Sequence, residues 1–564
     1  MKRKIVSILL VGACVAGLLG GCGQNAPTQD ASVNGAEGAS GQALLDENGR
    51  YLEEVTITGV LSHSQPQSPD QLPPDTTPEN FSFIQGVKDE LNINFEWLWT
   101  APTEQFAEKF GVAMASGDLP DIMKVSTADY ETLKENGQLA DLSGTLQYAS
   151  EEVSKYLQED PTILESLTTE DGKLYTIPQY YDVRREMNML YIRQDWLDEL
   201  GLEVPKTTEE LETVMKAFQE KTGAPQAIAL SGKVNDWGLD VKGILNMFGA
   251  APYSWIDKGD GTLVPGEIQP EAKSGLETIA KWYQEGYINR EFVSMDVDKA
   301  KESVVAGETG ILLGPWWMYE NAVILSMQKD PAARWTTAAI PSNGNGKAMV
   351  PRKSIASYYV VNSSCEHPEA LMLLINSNVR GHLEDVKWRQ PENGYVWNWD
   401  PAVYNDPYDI QSTFEKFQAA LEEDPKAEGP APESFTDEEK KYWDMMDEYL
   451  LYKEGDSSVL NDNNVGTFGN IIARIDADGG WGSVEEISAS SDFIYNEFYG
   501  SATDTMKTKS ATLEKLVEET YLKIIMGELP VSEFDTFVEN WKSLGGDEIT
   551  QEVNDWYDQQ KAGQ

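Results

Sequence analysis

The chain opens with three cations, Lys2, Arg3 and Lys4, followed by an apolar run from Ile5 to Leu19 and then by Gly20, Gly21 and Cys22. Charge, apolar run and small residues in that order read as an export signal, and the run is too short for a mature membrane-spanning helix. A protein that folds after export can use disulfides, so its cysteines decide what holds it together. Of the three, Cys14 leaves with the signal, Cys22 stands at its end and Cys365 is left alone. The folded part therefore has no intramolecular disulfide and must be stabilised by core packing. Its 564 residues suffice for one very large core or for two to four lobes. Cys365, before Glu366, His367 and Pro368, reads as a small apolar residue rather than a reactive thiol.

Leu19-Gly20-Gly21-Cys22 resembles the lipobox, Leu-x-Gly-Cys. The resemblance implies a signal peptide over residues 1–21 and a diacylglycerol on the Cys22 thiol, so that the protein is extracytoplasmic and lipid-anchored to the cell membrane. An ordinary cleaved signal with a chance cysteine is the alternative, and it too places the folded part outside the cytoplasm. From Gly23 to about Leu45 the chain is Ala, Ser, Gly, Asn and Gln with almost no bulky apolar residue, the composition of a flexible tether, here bounded at 22–47.

Net charge is −50, and it becomes −53 once Lys2, Arg3 and Lys4 are removed. Such acidity argues against nucleic acid as a partner, which needs clustered Lys and Arg, and against anionic surfaces. The histidines, His63, His367 and His382, are too scattered for a metal site or a catalytic relay. Metal-ligand, nucleophile-elbow and phosphate-loop motifs are missing, so no cofactor and no metal are expected. The 16 Trp and 24 Tyr exceed what so polar a chain needs for its core, leaving several to line a site.

Strand and helix signals alternate along the N-terminal third. Val55 to Val60 alternates as a strand, Phe81 to Leu91 as an amphipathic helix and Ile93 to Trp97 as a strand. Phe106 to Ser116 reads as a helix stopped by Gly117, and Asp121 to Val125 as a third strand. This rhythm predicts an α/β sheet with ligand chemistry at its strand ends. Thr207 or Thr208 with Glu210 marks a helix start after Pro205. Further helices are predicted near Gly275–Gln284, Pro368–Asn376, Thr436–Tyr452 and Ala511–Met526. Residues 391–432, rich in Pro, Asp, Asn and Trp, read as an insertion of loops and short helices.

Five segments carry a family resemblance. Ala115 to Ile122 (ASGDLPDI) is similar to the helix-to-strand passage of carbohydrate-type extracellular solute-binding proteins. Asp171 to Pro178 (DGKLYTIP) and Leu190 to Leu197 (LYIRQDWL) resemble the crossing from first to second lobe. Ala306 to Trp317 (AGETGILLGPWW) resembles the stretch of maltose-binding proteins that ends in a sugar-stacking tryptophan, and Gly545 to Tyr557 resembles the ending of the large lipoprotein branch. The resemblance implies a two-lobed α/β fold of the type II periplasmic-binding-protein kind, its lobes joined by hinge crossings and closing on a ligand. It places lobe 1 at 48–182 and 352–455 and lobe 2 at 183–351 and 456–564. The implied partners are an oligosaccharide and the permease subunits of an ABC importer, whose ATPase is a separate chain; the receptor is expected to be a monomer and not an enzyme.

Relatives in that branch often carry a calcium loop after the helix that follows Asp-Trp-Leu. Here the place reads Gln219 to Ile228 with one carboxylate, too few oxygens for calcium, and Asp257 to Asp260 reads as a hairpin turn. The first candidate ligand contact is Trp316, whose indole suits the apolar face of a pyranose, against the alternative of a core residue beside Trp317. Asn235, Asp236 and Trp237 follow from the resemblance. Tyr180, Tyr181 and Arg184 flank the first crossing; Arg184 offers a carboxylate clamp or a structural ion pair. Ser126 and Asp129 follow the third strand and Ser64 the first. Trp388, Arg389, Tyr395, Trp397 and Trp399 form either a stacking wall or local cores, a choice the sequence leaves open. Oligopeptide capture and a secreted glycoside hydrolase are the alternative functions. Aromatic content favours sugar over peptide, and a hydrolase would require a placed carboxylate pair.

Overall fold

The computed structural model describes residues 44–63, 72–169, 171–384, 386–500 and 502–562. Cys22, Ser64, the signal and most of the tether lie outside the described residues. The chain divides into a short unit ending at Glu53 and a large one, Glu54–Gln564. The described part of the first is a turn in which Leu45 bridges to Tyr51 and Asp46 Oδ1 accepts the Asn48 and Arg50 N–H groups.

Twelve strands are found among the described residues: β1 (Val55–His63), β2 (Ile93–Pro102), β3 (Ile122–Val125), β4 (Ile177–Tyr180), β5 (Met189–Arg193), β6 (Trp255–Asp257), β7 (Leu263–Pro265), β8 (Ile311–Gly314), β9 (Trp335–Ala338), β10 (Met349–Pro351), β11 (Ile355–Val361) and β12 (Ile494–Asn496). β1 and β2 pair in parallel through the helix Ser82–Leu91, and β3 follows the helix Thr103–Ser116, which Gly117 ends in the left-handed region at φ 76°. The Asp121 carboxylate accepts the Thr58 N–H at 2.8 Å and its hydroxyl at 2.6 Å, clasping β1 to the start of β3. β11 lies between β3 and β4, antiparallel to both.

β5 lies between β8 and β9, and every one of its residues is buried. Its apolar run is that of a strand covered on both faces. Leu190 and Ile192 enter a core with Trp196, Leu211, Trp282, Tyr521 and Trp541, whereas Met189 and Tyr191 enter a second core with Trp316, Tyr319, Phe468 and Trp481. The two-residue period of a strand thus feeds two cores from one element. Ile410, Phe417, Trp443 and Tyr449, expected with lobe 1, pack in the Trp316 core.

The expected helix at Thr207 has a capping box: Thr207 caps the Glu210 N–H and the Glu210 carboxylate accepts the Thr207 N–H. Asp257 to Asp260 lies at the turn of the β6–β7 hairpin, where Asp260 Oδ1 accepts the Thr262 N–H at 3.0 Å. Residues 391–432 depart from the expected loops and short helices, because Asp409–Glu423 is a fifteen-residue helix. The helix expected over Thr436–Tyr452 is two, Asp437–Trp443 and Met446–Lys453.

Candidate functional site

Three passages of the chain meet after β4. Tyr181 donates its N–H to the Ser354 carbonyl at 2.9 Å, between β10 and β11, and Asp182 donates to the Pro407 carbonyl at 3.1 Å, just before the helix Asp409–Glu423. Beside this junction opens a cavity of about 220 Å³. Its lining draws Tyr156, His382, Trp397, Tyr404 and Asp406 from the chain before the helix Asp409–Glu423, and Asp409, Lys416, Glu438, Tyr442 and Arg474 from that helix onward. Trp397 is 41 % exposed, an open indole at the rim.

The charges around the cavity are mostly paired. Arg185 meets Asp409 at 2.8 Å, Lys416 meets Glu439 at 3.0 Å and Arg474 Nε donates to Glu320 at 2.9 Å. Burial acts to lower the Arg474 pKa, and Glu320, Tyr442, Glu438 and Asp409 more than offset it. Burial raises Asp406, and its neighbour Glu159 is pushed up to about 7 by burial and by the Asp406 charge. Tyr442 donates its hydroxyl to Glu438 at 2.5 Å.

Trp316 belongs to the wall behind this cavity. It is 2 % exposed, edge-on to Trp481 at 5.8 Å, with the Arg474 and Arg185 guanidiniums over its ring at 5.2 and 5.9 Å. Gly480 permits that packing, since a Cβ there would lie 2.1 Å from the Trp316 carbonyl oxygen. Trp316 thus occupies the core position that was its alternative reading, and it presents no free face. The exposed indole of this region is Trp237, 38 % exposed, 4.9 Å from the ring of Trp317 and capped by the Lys301 ammonium at 4.7 Å.

The other expected contacts are placed as follows. Asn235 accepts from Lys242, and Asp236 Oδ1 accepts the Trp237 N–H at 2.9 Å, so both side chains hold their own loop. Tyr181 is half-buried at the junction under the Arg185 guanidinium at 4.5 Å, and burial raises its pKa. Tyr180 is buried and donates to the Tyr156 carbonyl. Arg184 is committed to Asp182, Glu485 and Gln411, with Nη contacts of 2.5, 2.9 and 2.7 Å, which is the structural ion pair rather than a clamp. Ser126 caps the helix Thr127–Glu135 by accepting the Asp129 N–H at 3.2 Å and donates to the Asp129 carboxylate at 2.8 Å.

The aromatic patch resolves into a core with one open member. Arg389, Tyr395 and Trp399 are buried and Trp388 packs against Gly86, leaving Trp397 at the cavity. Arg185, Asp409, Glu438 and Arg474 escaped the sequence reading; the Arg184-Arg185 doublet in so acidic a chain was their one signal. The Cys365 thiol is half-buried and pushed up to about 12, chiefly by burial, which suits an inert residue. No described helix is long and apolar enough to cross a membrane.

Residues 75–377 match the bacterial extracellular solute-binding protein family, to which the chain belongs. Lipoprotein LipO of Bacillus subtilis (strain 168) is 23 % identical over 509 residues, 87 % of this chain and 91 % of that one. The polygalacturonan/rhamnogalacturonan-binding protein YtcQ of the same organism is 25 % identical over 323 residues, 56 % of this chain and 57 % of its own. Among solved structures, the alginate-binding protein AlgQ2 without calcium ion superposes with a TM-score of 0.61 at 17 % identity, covering 91 % of this chain and 100 % of AlgQ2. The fold is the two-lobed α/β fold of periplasmic solute-binding proteins.

Proposed function

We propose that the protein is the membrane-anchored capture subunit of an ABC importer and holds an oligosaccharide between two closing lobes. The observation that carries the reading is the cavity at the meeting of the three crossings, bounded by an open indole and by polar side chains from both sides. Lobe 1 is then 54–182 with 352–408, and lobe 2 is 183–351 with 409–564, the helix Asp409–Glu423 and its successors joining the Trp316 core. Ligand clefts commonly measure roughly 300 to 1,000 Å³. A cavity of about 220 Å³ takes one end of an oligomer, and Trp397 offers the next ring a platform. Relatives named for polygalacturonan, fructooligosaccharide and diacetylchitobiose binding support a sugar over a peptide. The name of LipO supports lipid attachment at Cys22.

The protein acts by binding and not by chemistry. Calorimetry against neutral, amine-bearing and uronic oligosaccharides tests the reading, with a peptide library as control. Micromolar binding of a sugar returned intact is expected. Binding confined to peptides, or cleavage of the sugar, defeats it.

A further inference from the structure

Three cations stand at the cavity and its back wall, and each already has a carboxylate: Arg185 has Asp409, Lys416 has Glu439 and Arg474 has Glu320. Two further carboxylates line the cavity, Asp406 and Glu438, and neither makes an ion pair among the described residues. Asp406 accepts the Tyr408 N–H at 2.8 Å, and Glu438 accepts the Tyr442 hydroxyl. Desolvation and Arg389 hold the His382 imidazole below its ordinary range, against the pull of Glu438, Asp400 and Asp409. The terminal nitrogens of Arg474 make no hydrogen bond among the described residues, so they are donors available to hydroxyl groups, in a field already shared by Glu320, Glu438 and Asp409. Ser412 and Thr413 add neutral hydroxyls to the same wall.

A uronate entering this cavity would lose its water for the free end of Arg474, whose charge Glu320, Glu438 and Asp409 already share, and it would approach Asp406 and Glu438, which make no ion pair among the described residues. An uncharged sugar meets donors and acceptors for its hydroxyls at no such cost. An amine-bearing one gains the two carboxylates as partners. The net charge of −50 slows the approach of a polyanion as well. We infer that this site selects uncharged or amine-bearing oligosaccharides and rejects uronates, with Glu438 and Asp406 as the residues that discriminate. The inference rests on the sugar-capture reading above and names its ligand class.

The test is calorimetry of the full-length chain in detergent with seven probes: the fructo-, xylo-, manno- and chito-trisaccharides, the chitosan trisaccharide, trigalacturonate and the methyl ester of trigalacturonate. The tightest ligand should be uncharged or amine-bearing, at least tenfold tighter than trigalacturonate, and the methyl ester should not bind more weakly than the acid. The pair Glu438→Gln and Asp406→Asn keeps both hydrogen-bond acceptors. It should raise the affinity for trigalacturonate, relative to the tightest uncharged ligand, fivefold or more. Trigalacturonate as the tightest ligand overturns the inference while leaving sugar capture standing, and so does a ratio that the two substitutions leave unchanged. Failure of every probe at millimolar concentration, with the protein folded by circular dichroism, defeats sugar capture and this inference with it.

Discussion

The Arg389 guanidinium lies 4.3 Å over the Trp388 ring and that of Arg474 lies 5.2 Å over Trp316, so two regions of the molecule present the same pair of groups, a guanidinium on an indole. Their surroundings differ. Arg389 donates to Asp400 at 2.7 Å, to the Tyr395 hydroxyl at 2.9 Å and to Ser377 at 3.0 Å, and Asp400 accepts Tyr395 and Asn378 in turn. Among the described residues Arg474 is held by one side-chain bond, to Glu320, and it lines a cavity. Aromatic and arginine content does not by itself mark a binding site. What separates the two places is that the terminal nitrogens of Arg389 are spent on Asp400, Tyr395 and Ser377, whereas those of Arg474 make no hydrogen bond among the described residues.

The largest expected effect breaks the buried Arg389–Asp400 pair. Arg389→Met leaves Asp400 buried without its cation and should cost about 3 to 5 kcal/mol of stability, read by urea denaturation; a loss below about 1 kcal/mol would show that the cluster relaxes as easily as an open one.

Glu267 sharpens the comparison, because it is a buried carboxylate with no ion pair among the described residues, unlike Asp400. Burial pushes it up to about 7, and Glu514 adds to the rise. The folded state therefore binds this proton more strongly than the unfolded state does. Its contribution is at its best below the unfolded value near 4.5, and stability is lost as pH rises from there to about 7. Glu267→Gln should flatten that slope and stabilise the protein at pH 8 by up to about 3 kcal/mol, measured by thermal unfolding across the range. An unaltered slope would place the titrating group elsewhere.

At the open region the effect moves from stability to binding. Arg474→Gln should cost about 1 kcal/mol of stability and weaken the sugar affinity roughly tenfold to a hundredfold, the size of a few charge-assisted hydrogen bonds. Calorimetry showing equal affinity removes Arg474 from the site. The smallest effect is expected at Cys22→Ser, which should release the protein from membranes in a fractionation experiment while leaving affinity unchanged. Wild-type protein found free in the medium contradicts the anchor.

The early elements were legible because each signal is local: a two-residue period at Val55 to Val60, a left-handed Gly117 and, further along, a capping box at Thr207 and Glu210. Their sheet order was not legible, since β11 joins β3 and β4 from far along the chain. The helix Asp409–Glu423 carries its own period in Ile410, Phe414, Phe417 and Leu421, masked by the Pro, Asp and Trp around it. Among the candidate site residues, Trp316 is buried in the core. Position after a strand fixes where a side chain begins, and only packing, here Gly480 against its carbonyl, decides which way the ring is covered. Arg184 and Arg185 are adjacent in sequence, yet one is spent on Asp182 and the other reaches Asp409 and Trp316, a distinction made by partners distant in the chain.

The placement of β11 bears on the order in which the molecule can be made. β3 and β4 have no bonds to one another and are joined only when Ile355–Val361 arrives between them. A chain emerging N-terminus first, from a ribosome or through a membrane channel, must hold both strands with open edges while β5 to β10 are still being delivered. Open edges invite pairing with other chains. Fragments that stop before Ile355 should therefore aggregate, and fragments that run past Val361 should be rescued in part, because there the sheet gains its middle strand.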